Sequence, residues 1–162
     1  MPDVVAAAAG WLQRRGLRAG WWTASDADAA RLHAHLCAEI ARQLRRAVPH
    51  GWEVSTARVW RGKFNESLRP DVMVHQALAA TDDELPAPPL LCVTVAVEPS
   101  DYRSVRAYAQ LGVDHYWHLN SFDGLLEVFV RADDEYRRAE LIALDDMTDW
   151  IDFGVGIVHL AL

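Results

Sequence analysis

Asp71 enters an apolar run in RPDVMV, and Glu98 closes another in LLCVTVAVEPS. A carboxylate at the entry of an apolar strand, beside a second buried strand, can hold a divalent cation against a phosphate. The plainer alternative is a solvated acid at a strand edge. Glu98 is equally open to two readings. It is either a working carboxylate or a strand terminator near the N-terminus of the next helix, where negative charge is favoured. Thr94 is the odd residue of its run: one hydroxyl inside a stretch that is otherwise apolar on both faces.

Other chemistries find less support. His33 and His35 are two apart on a helical pattern, and His115 and His118 are three apart on a strand, so each pair diverges instead of converging on a zinc ion. Cys37 and Cys92 both lie in apolar patterns and read as buried free thiols, which removes a catalytic cysteine. GVG at 154–156 lacks the third glycine and the strand–turn–helix setting of a nucleotide-binding loop. Trp21 and Trp22 read as core cover, with base stacking as the lesser alternative.

The elements that must position these residues follow from periodicity. Ser25, with Asp28 three residues on, has the form of a helix N-cap. Leu32, Leu36, Ile40 and Leu44 then recur every fourth residue, and Pro49 and Gly51 stop the helix. WEVSTARVW (52–60) alternates as a strand with one wet face, and a loop, RGKFNES, follows. LRPDVMVHQAL contains a second strand, with Pro70 near its start. After an acidic, Pro-rich surface loop, LLCVTVAV forms a third strand, central and covered on both faces. Ser100 can cap a short second helix with Val105, Tyr108, Ala109 and Leu111 inward, and Gly112 ends it. DHYWHLN is a fourth strand, parallel to the third because a helix connects them. LLEVFV and EYRRAELIAL are a fifth and a sixth, and IDFGVGIVHL closes the chain. The fold class is α/β, a mixed sheet flanked by helices.

The 162 residues suit one domain, 1–162, with a substantial core. No apolar run approaches the roughly 20 residues of a membrane helix, and the Ala-rich start has no basic segment of the secretory kind. A cytoplasmic location with no membrane partner is the expectation. The net charge is −7 and Lys63 is the only lysine, so any contact with DNA would be local or transient.

Several stretches carry a resemblance: RRAVPHGWEV, LRPDVMV, PPLLCVTVAVEPS, VRAYAQLGVDHYWHLN and LEVFV. Together they resemble the "putative restriction endonuclease" domain family, abundant in cyanobacteria and actinobacteria, within the PD-(D/E)XK nuclease superfamily. The run from Tyr108 to Trp117 is its most specific piece. The resemblance covers about residues 25–140, and 1–24 reads as a divergent N-terminal extension. It implies a restriction-endonuclease-like core and metal-dependent phosphodiester cleavage, in which an Asp and a Glu hold Mg²⁺ (or Mn²⁺) and a Lys assists. It also implies a homodimer.

Asp71 takes the family's Asp. Counting forward from Leu90–Leu91 puts Thr94 at the family's Glu and counting back from Pro99–Ser100 puts Val95 there, with Thr94 the better match; Ser104 falls at its Lys, flanked by Arg103 and Arg106. An active site would therefore be built from Asp71 and Glu98 as metal ligands, with Arg103 or Arg106 on the phosphate. Glu98 shares the face of Thr94 but lies about 13 Å further along an extended strand. Lys63, in the loop before Asp71, would have to fold back to help. The rival expectation is a non-catalytic nuclease-fold module for protein binding or assembly.

Overall fold

In the computed structural model of the protein, residues 26–61, 67–77, 85, 87–97, 103–144, 151–158 and 160 are described. Helix α1 (Asp26–Ala47) turns Leu36, Ile40 and Leu44 onto a sheet and buries them completely or nearly so. Their four-residue spacing places them on one stripe. The Val48 amide still donates to the Leu44 carbonyl, and the chain then reverses through Gly51, whose φ of 89° suits a residue without Cβ. Ser25 lies outside the described residues.

The central sheet has six strands in the order β1–β4–β5–β6–β7–β8. β1 (Trp52–Thr56) pairs antiparallel with β4 (Val72–Gln76), and β4 pairs antiparallel with β5 (Leu91–Ala96). β5 runs parallel to β6 (His115–Asn120), with Thr94 opposite His118. β7 (Leu125–Ala132) and β8 (Glu135–Ala143) complete it as an antiparallel hairpin with a bulge at Val128/Phe129. Helix α2 (Arg103–Gln110) makes the crossover from β5 to β6, as its place between two parallel strands requires, and Gly112 ends it with φ 84°. Tyr108 and Ala109 are its buried residues, with Val105 and Leu111 half-buried beside them.

The strand expected over 52–60 is shorter than its alternation suggested. Ala57 adopts φ 52°, which turns the chain out of the sheet. Trp60–Arg61 instead form β2, paired with β3 (Ser67–Leu68) in a separate ladder. The closing segment forms a second small hairpin, β9 (Ile151–Asp152) with β10 (Ile157–Val158).

Strand alternation sorts the core into two. Val72, Val74, Leu91, Val93, Val95, Trp117, Leu119, Leu126 and Val128 face α1 and join Phe153, Val158 and Leu160 of the closing hairpin. The other face carries Met73, Cys92, Tyr116 and Phe129 under Tyr108 of α2. Cys37 and Cys92 are free and buried, as their apolar surroundings predicted. Among the described residues no helix is long and apolar enough to cross a membrane.

Candidate functional site

Asp71 immediately precedes β4 and is tied to its neighbours through both backbone and side chain. Its amide donates to the Val93 carbonyl at 3.0 Å, and its carbonyl accepts from the Ala57 amide at 2.9 Å. Its Oδ2 accepts the Val95 amide at 2.7 Å. The carboxylate thus takes the place of a backbone acceptor where the β4–β5 ladder stops. Its other oxygen, Oδ1, lies 3.0 Å from His33 Nε2 on α1. One helical turn on, Cys37 Sγ is 3.7 Å from the same nitrogen. Burial, then the charge of Asp71, push the Cys37 thiol up to about 12.

On the opposite face, Thr94 Oγ1 shares a hydrogen bond with the Tyr116 hydroxyl at 2.5 Å and lies 3.0 Å from His118 Nδ1. Tyr116 stacks on Tyr108 with ring centroids 5.1 Å apart and on Tyr136 at 5.7 Å. His118 is held below the ordinary imidazole pKa by burial, against the pull of Glu127, Asp123 and Asp71. Glu127 sits opposite His118 in the β6–β7 ladder. Its Oε1 accepts from Arg138 at 3.1 Å, while Oε2 is buried without a hydrogen-bond partner among the described residues. Burial also raises the pKa values of Tyr108 and Tyr136, so these hydroxyls remain protonated.

Thr94, His118 and Glu127 lie toward the carboxyl ends of the parallel pair β5 and β6, where open α/β sheets commonly place ligands, while Tyr116 and Tyr136 lie nearer the amino end of β6. A pocket lined by Trp52, His75, Leu85, Leu90 and Asp114 opens at the other end of the same strands, about 13 Å from Thr94 and His118 at the rise of an extended chain.

Of the residues expected to act, Asp71 lies just before β4, against Val95 and His33. Glu98, Lys63, Trp21 and Trp22 lie outside the described residues. Arg103 opens α2, and Arg106 is exposed on the same helix. His33 and His35 diverge, the first half-buried against Asp71 and the second exposed. His115 and His118 point to opposite faces, with His115 turned toward Gly154. Two features were not among the expected site residues. His33 and Cys37 are four apart on one helix and so share a face, a spacing visible in the sequence. Glu127 in LLEVFV is a lone acid in an apolar strand, the same kind of mark that singled out Thr94.

Among the described residues, one group of three metal-ligating side chains converges: His33, Cys37 and Asp71, whose ligand atoms lie within 4.8 Å of one another. It holds a single carboxylate, one of whose oxygens is taken by the Val95 amide. The set therefore does not fit the oxygen-rich coordination that Mg²⁺ demands.

A six-stranded mixed sheet with a helix on each face, and an acid at the sheet end nearest the crossover, define a nuclease-like α/β fold. The chain belongs to the Uma2 family, described as "Putative restriction endonuclease", whose model matches residues 3–153. That span reaches beyond the 25–140 of the sequence resemblance. The structure is similar to that of "a putative nuclease belonging to DUF820 from Anabaena variabilis ATCC 29413", with a TM-score of 0.52 and 9% identity over 76% of this chain and 70% of that one. At that identity the likeness is one of fold. A DrdV–DNA complex aligns with a TM-score of 0.43 and 13% identity, over 84% of this chain and 12% of that one. No curated protein matches the chain.

Proposed function

We propose that the chain is a DNA-directed member of this endonuclease family in which Mg²⁺- or Mn²⁺-dependent phosphodiester cleavage is strongly weakened. The observation that carries this reading is the state of Thr94. The resemblance puts an acid there, and this chain has a hydroxyl engaged with Tyr116 and His118. A Glu at that position would help hold the cation that stabilises charge at the phosphoryl centre, and removing a single stabilising donor of an oxyanion site costs on the order of 10²–10³ in rate. In this reading Asp71 and Glu98 would supply whatever metal affinity remains, and Arg103 or Arg106 would meet the phosphate. Arginine suits that task through its fixed fork of donors but is a poor proton carrier in place of lysine.

The second reading, a non-catalytic nuclease-fold module for protein binding or assembly, is favoured by a separate observation. Asp71 already performs a structural task by accepting the Val95 amide, so it has reason to persist without catalysis. The acidic net charge of −7 suits a protein partner better than a long phosphate backbone. Homodimerisation and a cytoplasmic location belong to this proposal too.

Calorimetric titration of Mn²⁺ into the wild type, Asp71→Ala and Glu98→Gln tests the choice, followed by plasmid cleavage. Saturable binding lost in both variants supports a residual two-carboxylate site. Absence of binding and of nicking in the wild type would sink the cleavage reading and leave the binding module.

A further inference from the structure

We propose that His33, Cys37 and Asp71 form a site for a borderline transition-metal ion of the Zn²⁺ class. The three donors are an imidazole nitrogen, a thiolate sulfur and a carboxylate oxygen. That mixture selects Zn²⁺, Co²⁺ or Fe²⁺ over Mg²⁺, which takes oxygen ligands.

The distances suit the ion. Zn–S bonds of about 2.3 Å and Zn–N or Zn–O bonds of about 2.0–2.1 Å place tetrahedral ligands roughly 3.3–3.6 Å from one another. Here His33 Nε2 is 3.0 Å from Asp71 Oδ1 and 3.7 Å from Cys37 Sγ. Cys37 Sγ also lies 3.8 Å from Nδ1, and the three ligand atoms fall within 4.8 Å of one another, so closing on an ion requires the imidazole to turn its Nε2 between Cys37 and Asp71.

The support around the donors also fits. His33 and Cys37 are one turn apart on α1, whose buried stripe fixes the helix against the sheet. The Val95 amide holds Asp71 Oδ2 and so orients Oδ1 toward His33, an outer hydrogen bond of the kind that positions metal-ligating carboxylates. The His33 and Asp71 side chains remain 35% and 26% exposed, so solvent reaches the fourth position. Three protein ligands plus an open position is the arrangement of a reactive zinc centre more than of a closed structural one. As the metal–sulfur bond forms, the Cys37 S–H bond breaks and its proton passes to solvent.

This site shares Asp71 with the cleavage reading but does not rest on it, because Cys37 has no part in phosphodiester hydrolysis. Co²⁺ serves as the probe, added under reducing conditions to the metal-free full chain. The expected result is absorbance that saturates at one equivalent and includes a thiolate-to-cobalt charge-transfer band. Cys37→Ser abolishes that band, Cys92→Ser keeps it, and excess Mg²⁺ does not displace the ion. His33→Ala weakens binding by about tenfold or more, at least the loss seen when outer-shell partners are removed. A wild type without the band overturns the proposal, as does a band that survives Cys37→Ser or disappears in Cys92→Ser. Should Cys37→Ser fail to fold by circular dichroism, His33→Ala decides the matter at a half-buried position, and unchanged Co²⁺ affinity there overturns the site.

Discussion

The two faces of the central sheet are built from the same strands and serve different ends. The face toward α1 is continuous and apolar, from Val72 and Val74 through Val93 and Trp117 to Val128. The face toward α2 is apolar only in its lower part. Toward the carboxyl ends of β5 and β6 it changes to a hydroxyl, an imidazole and a carboxylate: Thr94, His118 and Glu127, in register across three strands. Strand alternation alone produces this split, since each residue faces away from its neighbour. The first face is a dry core, whereas the second buries polar groups, one of them Glu127 Oε2, unsatisfied among the described residues, at some energetic cost.

The largest effect should come from cutting the dry face. Trp117 is fully buried and meets Phe153 edge-on at 6.0 Å. Trp117→Ala should cost about 3–5 kcal/mol in urea denaturation. If the loss were small, the dry face would not be the main support. Asp71→Ala comes next, because it strips the Val95 amide of its acceptor at the junction of both faces. A loss of about 1–3 kcal/mol is expected, and a negligible change would show that the sheet end relaxes to water. Thr94→Val keeps the shape but takes a hydrogen-bond partner from Tyr116 and from His118. It should cost about 1 kcal/mol, and a stabilised variant would mean that the polar row is held against the interest of stability.

Acid supplies a subtler test. Burial holds both His115, on the dry face, and His118, on the polar face, below the ordinary imidazole pKa of 6.5. The unfolded chain therefore binds more protons as pH falls, so their contribution is intact above about pH 6.5 and is lost below it. Urea midpoints measured from about pH 8 to about pH 5.5 should fall, with a gentler slope in His118→Gln than in the wild type. An unchanged slope would show that His118 does not titrate with folding. Leu141, 42% exposed where the polar row meets solvent, is the low end of the scale. Leu141→Thr should move stability by no more than about 0.5 kcal/mol.

Much of this was legible in the residues. The six strands of the main sheet, the first of them shorter than its alternation suggests, the parallel pairing across α2 and the covered β5 all follow from period and connection length. Thr94 stood out because a lone polar residue in an apolar strand needs a partner, and the partner proved to be a tyrosine and a histidine on the next strand. Glu127 carried the same mark and was read only as part of a strand. What could not be read was the work of Asp71. Its two oxygens serve the Val95 amide and His33, groups far away in the chain, and no local pattern announces such a meeting. The break at Ala57 was equally hidden, since alanine seldom adopts a positive φ and nothing in WEVSTARVW marks it.

The closing hairpin leaves one further consequence. A Cβ on Gly156 would stand 2.6 Å from the Ala47 carbonyl at the end of α1, roughly a hundred positions earlier in the chain. A contact between segments so far apart forms only after the intervening loop has closed, and loop closure is a cost in time as much as in free energy. The α1 face should therefore be the last part of the molecule to seal during folding. Until it does, Trp117 and its neighbours remain open to water, and the nascent chain passes through its most aggregation-prone stage.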